Sequence, residues 1–300
     1  MYYARPPLVL AEKSLQDALG TIHLRDLPAP QPTHPYRLQG TTPLIERLWR
    51  IALSDVEANT VETDNGCYFG AGTHFGLRIY TRDISYAGLL GLNAIYPKLM
   101  RQSLNVTRHV RLRMGLTVAR GYAVPGITAD WEELDVAESS YLQTYHTNSY
   151  TRRTDDVIWL WCARDLFEQD GTLEDWRWLY ETGRRCFDEL YTPFFDPEDG
   201  LYRGQASFID IHFADHKTTG YPLEWTLSDC VMAKALSTNC LYVQGLRTMA
   251  TAAKELDHLE DARRWSAAAS DLVSAIRREL AREDGALAYL KDRWGHLAPR

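Results

Sequence analysis

The stretch Leu201-Tyr-Arg-Gly-Gln-Ala-Ser-Phe-Ile-Asp210 ends on a carboxylate surrounded in sequence by Phe208, Ile209, Ile211 and Phe213. Apolar surroundings penalise the charged form of a carboxyl group and raise its pKa, which suits it to donate a proton near neutrality. A plain turn aspartate is an equally simple reading. Upstream, Thr81-Arg-Asp-Ile-Ser-Tyr86 sets Arg82 beside Asp83 at the mouth of an apolar segment, so two opposite charges share one helix entrance. A capping Thr81 followed by a surface arginine is the plainer alternative. Asp210, His212, Asp215 and His216 carry metal-ligand chemistry, and the two histidines would share a face if the segment were helical. Nearby proline and glycine oppose that helix, so neither a metal nor a cofactor is expected. Gly70, Gly72 and Gly76 are too loosely spaced for a phosphate fingerprint and lack a strand-helix-strand frame.

These residues need elements to hold them, and the apolar periodicity predicts mostly helices. Thr42 and Pro43 open a helix over Leu44 to Val56, with Leu44, Leu48, Ile51 and Ala52 on one face. From Arg82 to about Gln102 the apolar positions lie nearly all round, as on a helix packed on several sides, and Gly88 and Gly91 permit close approach. Residues 105–150 read as a long, partly irregular insertion. A second all-round helix starts at Thr154, whose hydroxyl is expected to cap it, with acidic Asp155 and Asp156 in the first turn, and runs through Trp159, Trp161 and Phe167 to Gly171. Leu173, Trp176, Leu179, Tyr180, Phe187 and Leu190 then form a single stripe on a charged helix. A loop over Asp196 to Pro222 leads to a third all-round helix, Trp225 to Leu256. Ala262, Trp265, Ala269, Leu272, Ile276 and Leu280 make another single stripe.

Inner-type and outer-type helices therefore alternate, and the inner ones begin near Asp83, Thr154 and Trp225, 71 residues apart in both intervals. Hairpins stacked in two layers describe an all-α fold, an (α/α) toroid whose inner-helix loops line a cavity. Residues 1–42, rich in proline, read as an irregular lead-in, and residues 43–300 as a partial toroid domain.

Composition narrows the partners. With 33 basic and 40 acidic residues the formal charge is −7, so nothing draws the chain to a phosphate backbone and nucleic acid is not an expected partner. Nine Trp and seventeen Tyr exceed what a core needs, and flat amphipathic rings stack on sugar faces. The five cysteines include no Cys-x-x-Cys pair, which leaves reduced thiols as the expectation. No leader pattern and no membrane-length apolar run are visible, so a soluble, cytoplasmic protein without a membrane partner is expected.

Four segments taken together carry a resemblance: Tyr80-Thr-Arg-Asp-Ile-Ser-Tyr-Ala-Gly, Thr154-Asp-Asp-Val-Ile-Trp, Gly204-Gln-Ala-Ser-Phe-Ile-Asp and Leu236-Ser-Thr-Asn-Cys-Leu-Tyr-Val-Gln. In this order they resemble the bacterial six-hairpin glycosidase-like proteins, relatives of the trehalase and processing α-glucosidase clan. The resemblance implies a glycoside hydrolase acting on an oligosaccharide, with inversion. It also implies that Arg82 and Asp83 hold a sugar, with Tyr86, Asp155 and Trp159 of the same segments in the substrate-binding set, and that Asp210 is the general acid.

The clan places its general base late in a six-hairpin ring, whereas this chain shows about half of one. Glu224 and Asp229 are the nearby carboxylates, and neither holds the late position, so the base stays unassigned. An N-terminal part of a longer enzyme, completed by a missing half or by self-association through the open edge, is the expectation. The alternative is a non-catalytic carbohydrate-binding or assembly protein. A lyase or metal-assisted hydrolase rests on the Asp210–His216 cluster alone.

Overall fold

The computed structural model describes residues 9–11, 14–17, 20–23, 32–63, 66–72, 79–114, 154–190, 194–204, 206, 221–222, 225, 229 and 232–298. They form two compact units, Met1–Glu62 and Thr63–Arg300. The sequence-based division after residue 42 therefore falls before a helix that belongs with the first unit.

The first unit opens with an antiparallel meander, β1 (Val9–Ala11), β2 (Ser14–Asp17) and β3 (Gly20–His23), in registers Leu10↔Leu15 and Leu15↔Ile22. These strands stand where the sequence reading had only an irregular lead-in, because three- and four-residue strands are too short to show a period. Helix α1 (Pro43–Ala58) begins as expected at Thr42, whose Oγ1 accepts the Ile45 N–H at 3.4 Å. Its Glu57 carboxylate accepts the backbone N–H groups of Thr33 and His34 at 2.8 and 2.9 Å, which ties the proline-rich approach to the helix. The buried position is Leu53, while Leu48 is exposed, so the predicted apolar face is not the one that packs. Strand β4 (Thr60–Thr63) spans the boundary between the units.

The second unit is mostly helical, with short antiparallel strands at the helix ends. After β5 (Gly66–Phe69) comes α2 (Thr81–Ala87), a wider π-type stretch over Gly88–Leu92, α3 (Asn93–Ile95) and α4 (Pro97–Met114). The continuous inner helix predicted over Arg82–Gln102 is thus broken. Gly91 sits at φ 143°, a region closed to side chains with a Cβ, and Pro97 cannot continue the preceding helix. Leu90 points almost fully into water, so apolarity all round did not mean burial all round. Gly88 does permit close packing, since a Cβ there would lie 2.5 Å from Cys162 Sγ. Helix α4 also takes up residues 105–114, the start of the segment read as an irregular insertion.

Helix α5 (Asp155–Asp170) is buried on nearly every side, from Asp155 through Leu160 and on to Phe167. The short Gly171-Thr172 turn leads to α6 (Leu173–Arg185), where Thr172 and Asp175 cap each other reciprocally. Trp176, Leu179 and Tyr180 form its single buried stripe. A hairpin follows, β6 (Phe195–Asp196) with β7 (Leu201–Tyr202), turning at Gly200. Strand β8 (Lys234–Ala235) then opens α7 (Leu236–Glu255), a helix buried on several faces, and α8 (Leu259–Glu279) returns along it with Ala262, Trp265, Ala269, Leu272 and Ile276 inward. The stripe of α8 matches the sequence reading; that of α6 matches at Trp176, Leu179 and Tyr180, while Leu173 is exposed, Phe187 is buried just beyond the helix in a π-type stretch over Cys186–Leu190, and the side chain of Leu190 lies outside the described residues. The helix predicted from Trp225 has strand β8 at Lys234–Ala235 in its path and runs as α7 from Leu236, so the predicted equal spacing is not kept.

Helix α5 packs against α2 on one side and α7 on the other, α6 covers α5 and α7, and α8 lies along α7. The largest fully buried side chains include Trp159, Tyr68, Tyr242 and Phe194. A second small sheet runs β10 (Leu297–Ala298), β9 (Leu290–Lys291), β8, all antiparallel. Among the described residues no helix is long and apolar enough to cross a membrane.

The Leu-Ser-Thr-Asn-Cys segment finds a structural use in α7. Asn239, fully buried, accepts the Tyr202 N–H through Oδ1 at 2.7 Å and donates through Nδ2 to the carbonyls of Tyr202 and Ala235, each at 3.0 Å. Its amide thus serves Tyr202 as a neighbouring strand would, and Tyr242 one turn on stacks flat on the Tyr202 ring with centroids 3.9 Å apart. Asn239→Ala strands both Tyr202 backbone groups and should cost about 2 kcal/mol of stability, roughly the penalty for unpaired buried polar groups. A chemical-denaturation midpoint unchanged from wild type would show that water replaces the amide at no cost.

Candidate functional site

The first turn of α2 separates the two charges that the sequence set side by side. Tyr80 occupies the N-cap position and Thr81 is already helical, so Thr81 is not the cap that was expected. Arg82 is buried, with 8% of its surface exposed, whereas the Asp83 side chain is 60% exposed. Arg82 Nη2 stands 3.8 Å from Asp83 Oδ2, a loose pair with the guanidinium inside and the carboxylate in water. Tyr86, one turn further, is half-buried. Asp83 is therefore open to solvent, whereas Arg82 is nearly closed off from it.

Helix α5, packed against α2, begins with two buried carboxylates, Asp155 and Asp156. Both belong to the first turn of the helix. Thr154 before them makes no side-chain capping bond; its carbonyl accepts the Ile158 N–H at 2.9 Å. Two helices in contact thus bring a buried cation in the first turn of one and buried carboxylates in the first turn of the other. Trp159 has a different role from the one the resemblance implies. It is fully buried, gives its indole N–H to the Leu104 carbonyl at 3.1 Å and meets Trp178 edge-on at 5.1 Å. With no exposed surface it is a core ring and cannot stack on a sugar.

Asp210 lies outside the described residues, as do His212, Asp215, His216 and Glu224. The two ends of its segment are described. Gly204 bridges to Lys234 of β8, and its N–H donates to the Ala233 carbonyl at 2.8 Å. Ala206 donates its N–H to the Tyr221 hydroxyl at 2.8 Å, and both residues share a small core with Ala235 and Leu290. The chain leaves at Ala206 and returns at Tyr221 beside the start of α7.

Next to Gly204, at Lys234, the structure holds charges that no local pattern foretold. Lys234 Nζ donates to Asp196 Oδ2 and to Asp199 Oδ2, each at 2.6 Å, and is itself only 8% exposed. Lys291 Nζ joins Asp199 Oδ2 at 3.0 Å to Glu279 Oε2 at 2.9 Å, and Arg203 pairs with Asp196. Burial alone would raise the Asp196 carboxyl, but the Lys234 hydrogen bond, the Glu198 N–H and the Lys234 and Arg203 charges hold it below its ordinary range. Asp-Pro-Glu-Asp-Gly at 196–200 is legible as a turn, but two of its cationic partners, Lys234 and Lys291, come from distant parts of the chain. Asp229, weighed above as a base, is buried and pairs with Arg293 Nη1 at 2.9 Å. No family model, curated protein or solved structure matches the chain.

Proposed function

We propose that the chain is a glycoside hydrolase domain of the six-hairpin, (α/α)-toroid kind, cleaving an oligosaccharide with inversion. The reading is supported above all by the packing of α2 on α5, whose first turns carry Arg82 and Asp83 on one helix and Asp155 on the other. Alternation of an enveloped helix with a one-striped helix in α5–α6 and α7–α8 is what stacked hairpins require.

Asp83, exposed beside a buried guanidinium, accepts hydrogen bonds from sugar hydroxyls, and Arg82 supplies the opposing positive field. Asp210, on the segment anchored at Ala206 and Tyr221, gives its proton to the departing glycosidic oxygen as the bond to the anomeric carbon breaks. Water attacks that carbon from the other face and loses its proton to a carboxylate partner that stays unassigned. The product leaves with inverted anomeric configuration.

The test is hydrolysis of a panel of α- and β-linked oligosaccharides by the purified protein, with the first-formed anomer read by proton NMR before mutarotation. Release of an inverted product supports the proposal. Release of a retained product refutes inversion, and an unsaturated product identifies a lyase instead. Full sugar binding without any cleavage favours the carbohydrate-binding alternative.

A further inference from the structure

We propose that Trp294, with Trp225 and the Arg293–Asp229 pair, forms a sugar-stacking subsite for a neutral oligosaccharide, braced against Tyr221. The proposal rests on the glycosidase reading and names where a longer substrate would lie.

Trp294 is 60% exposed, an unusual state for an indole, whose large apolar surface ordinarily gains from burial. Yet its position is fixed. The turn between β9 and β10 is held by Asp292, whose Oδ1 accepts the N–H groups of Trp294 and His296 at 2.8 Å each, while Oδ2 meets His296 Nδ1 at 2.9 Å. Gly295 at φ 94° completes the reversal. An exposed ring on a stapled turn contributes little to the core, but it loses little entropy when a ligand lands on it.

Trp225 stands edge-on to Trp294, with ring centroids 6.5 Å apart and planes at 73°, so the two indoles form a corner. Trp225 is in turn stacked on Tyr221 at 5.8 Å, and Tyr221 is the residue whose hydroxyl holds Ala206. The corner is therefore braced against the same point from which the chain departs towards Asp210. The Arg293 guanidinium lies 5.7 Å from the Trp294 ring centre and is bound to Asp229 at 2.9 Å.

This combination suits one ligand class. A pyranose has an apolar face of C–H bonds and a belt of hydroxyls that both donate and accept. The indole faces match the first, and a planar cation paired with a carboxylate matches the second. A nucleic acid would also stack on tryptophan, but the net charge of −7 opposes a phosphate chain.

Calorimetric titration of the full chain with maltohexaose, cellohexaose, mannohexaose and xylohexaose tests the subsite. At least one hexasaccharide should bind, Trp294→Ala should weaken it tenfold or more, and Trp294→Tyr should weaken it less, with thermal midpoints unchanged because the ring is outside the core. Turnover of a monosaccharide aryl glycoside by the wild-type chain is the separate readout of the glycosidase reading. Equal affinity of wild type and Trp294→Ala overturns the subsite and leaves the glycosidase reading standing. Absence of binding by all four sugars overturns it as well, and aryl-glycoside turnover then decides the glycosidase reading separately. Loss of self-association in Trp294→Ala, without any effect on sugar, would assign the ring to contact between copies and equally overturn the proposal.

Discussion

Asp210→Asn is expected to lower kcat on an unactivated oligosaccharide by about 1,000-fold, within the range that general acid catalysis supplies. Asparagine keeps the shape of the side chain and removes the proton, so KM should change little. A 2,4-dinitrophenyl glycoside leaves as a stable anion and needs little protonation, and on this substrate the variant should retain most of its turnover. Two slopes therefore separate the roles. Loss on the natural substrate alone identifies a proton donor, and equal loss on both substrates removes Asp210 from that role. Asp83→Ala should act differently, raising KM on both substrates, because the proposal gives this exposed carboxylate at the start of α2 the role of holding the sugar rather than the leaving group. If Asp83→Ala leaves KM untouched, its exposure is that of an ordinary surface residue.

The parts of this molecule legible in the sequence are those in which a period repeats long enough to be seen. The stripes of α6 and α8 were visible because each covers several turns against a charged background, and burial follows them at Trp176, Leu179 and Tyr180 in α6 and at Ala262, Trp265, Ala269, Leu272 and Ile276 in α8. Helix α5 was visible for the opposite reason, an apolar surface with no charged face. The segment over 82–102 was misleading because its leucines counted towards an all-round helix, while Gly91 at positive φ and Pro97 broke the path and left Leu90 in water. The start of α7 was set too early because Trp225 is apolar and precedes further apolar residues, yet it stacks on Tyr221 instead of joining the helix. At the candidate site, Arg82, Asp83 and Asp155 could be named from local sequence, since a charge at a helix start is a local signal. Whether each charge faces inward or outward depends on the neighbouring helix, and so it appears only in the fold. Lys234 and Lys291 were illegible for the same reason. Their meaning lies in partners such as Asp196, Asp199 and Glu279, which no short pattern connects to them.

That network predicts the largest loss of stability. In Lys234→Met the buried carboxylates of Asp196 and Asp199 lose the cation they share, and breaking a buried ion pair from one side costs about 3–5 kcal/mol. Arg203 and Lys291 remain nearby, so the lower end of that range is expected. The pH dependence follows from the direction of each shift. Hydrogen bonds from Lys291 and Arg278 lead in holding the Glu279 carboxyl low, as Lys234 and Arg203 hold Asp196 against its burial. Carboxyl groups with a folded pKa below the unfolded one stabilise the fold above about pH 4 and lose that contribution as the pH falls through the folded value. Lys291 has the opposite sign. Burial would lower it, but Glu279 and Asp199 raise it above its usual value, so its contribution persists through neutral pH and is lost only as strong alkali carries the pH through the raised value. In Lys234→Met the Asp196 carboxyl keeps its burial without its main partner, so its pKa rises and mild acid relieves the destabilisation by protonating it. The difference in denaturation midpoint between wild type and Lys234→Met should therefore be greatest near pH 7 and narrow towards pH 4.5. A difference that is constant across that interval would mean that Lys234 acts through the packing of its aliphatic stem and not through its charge.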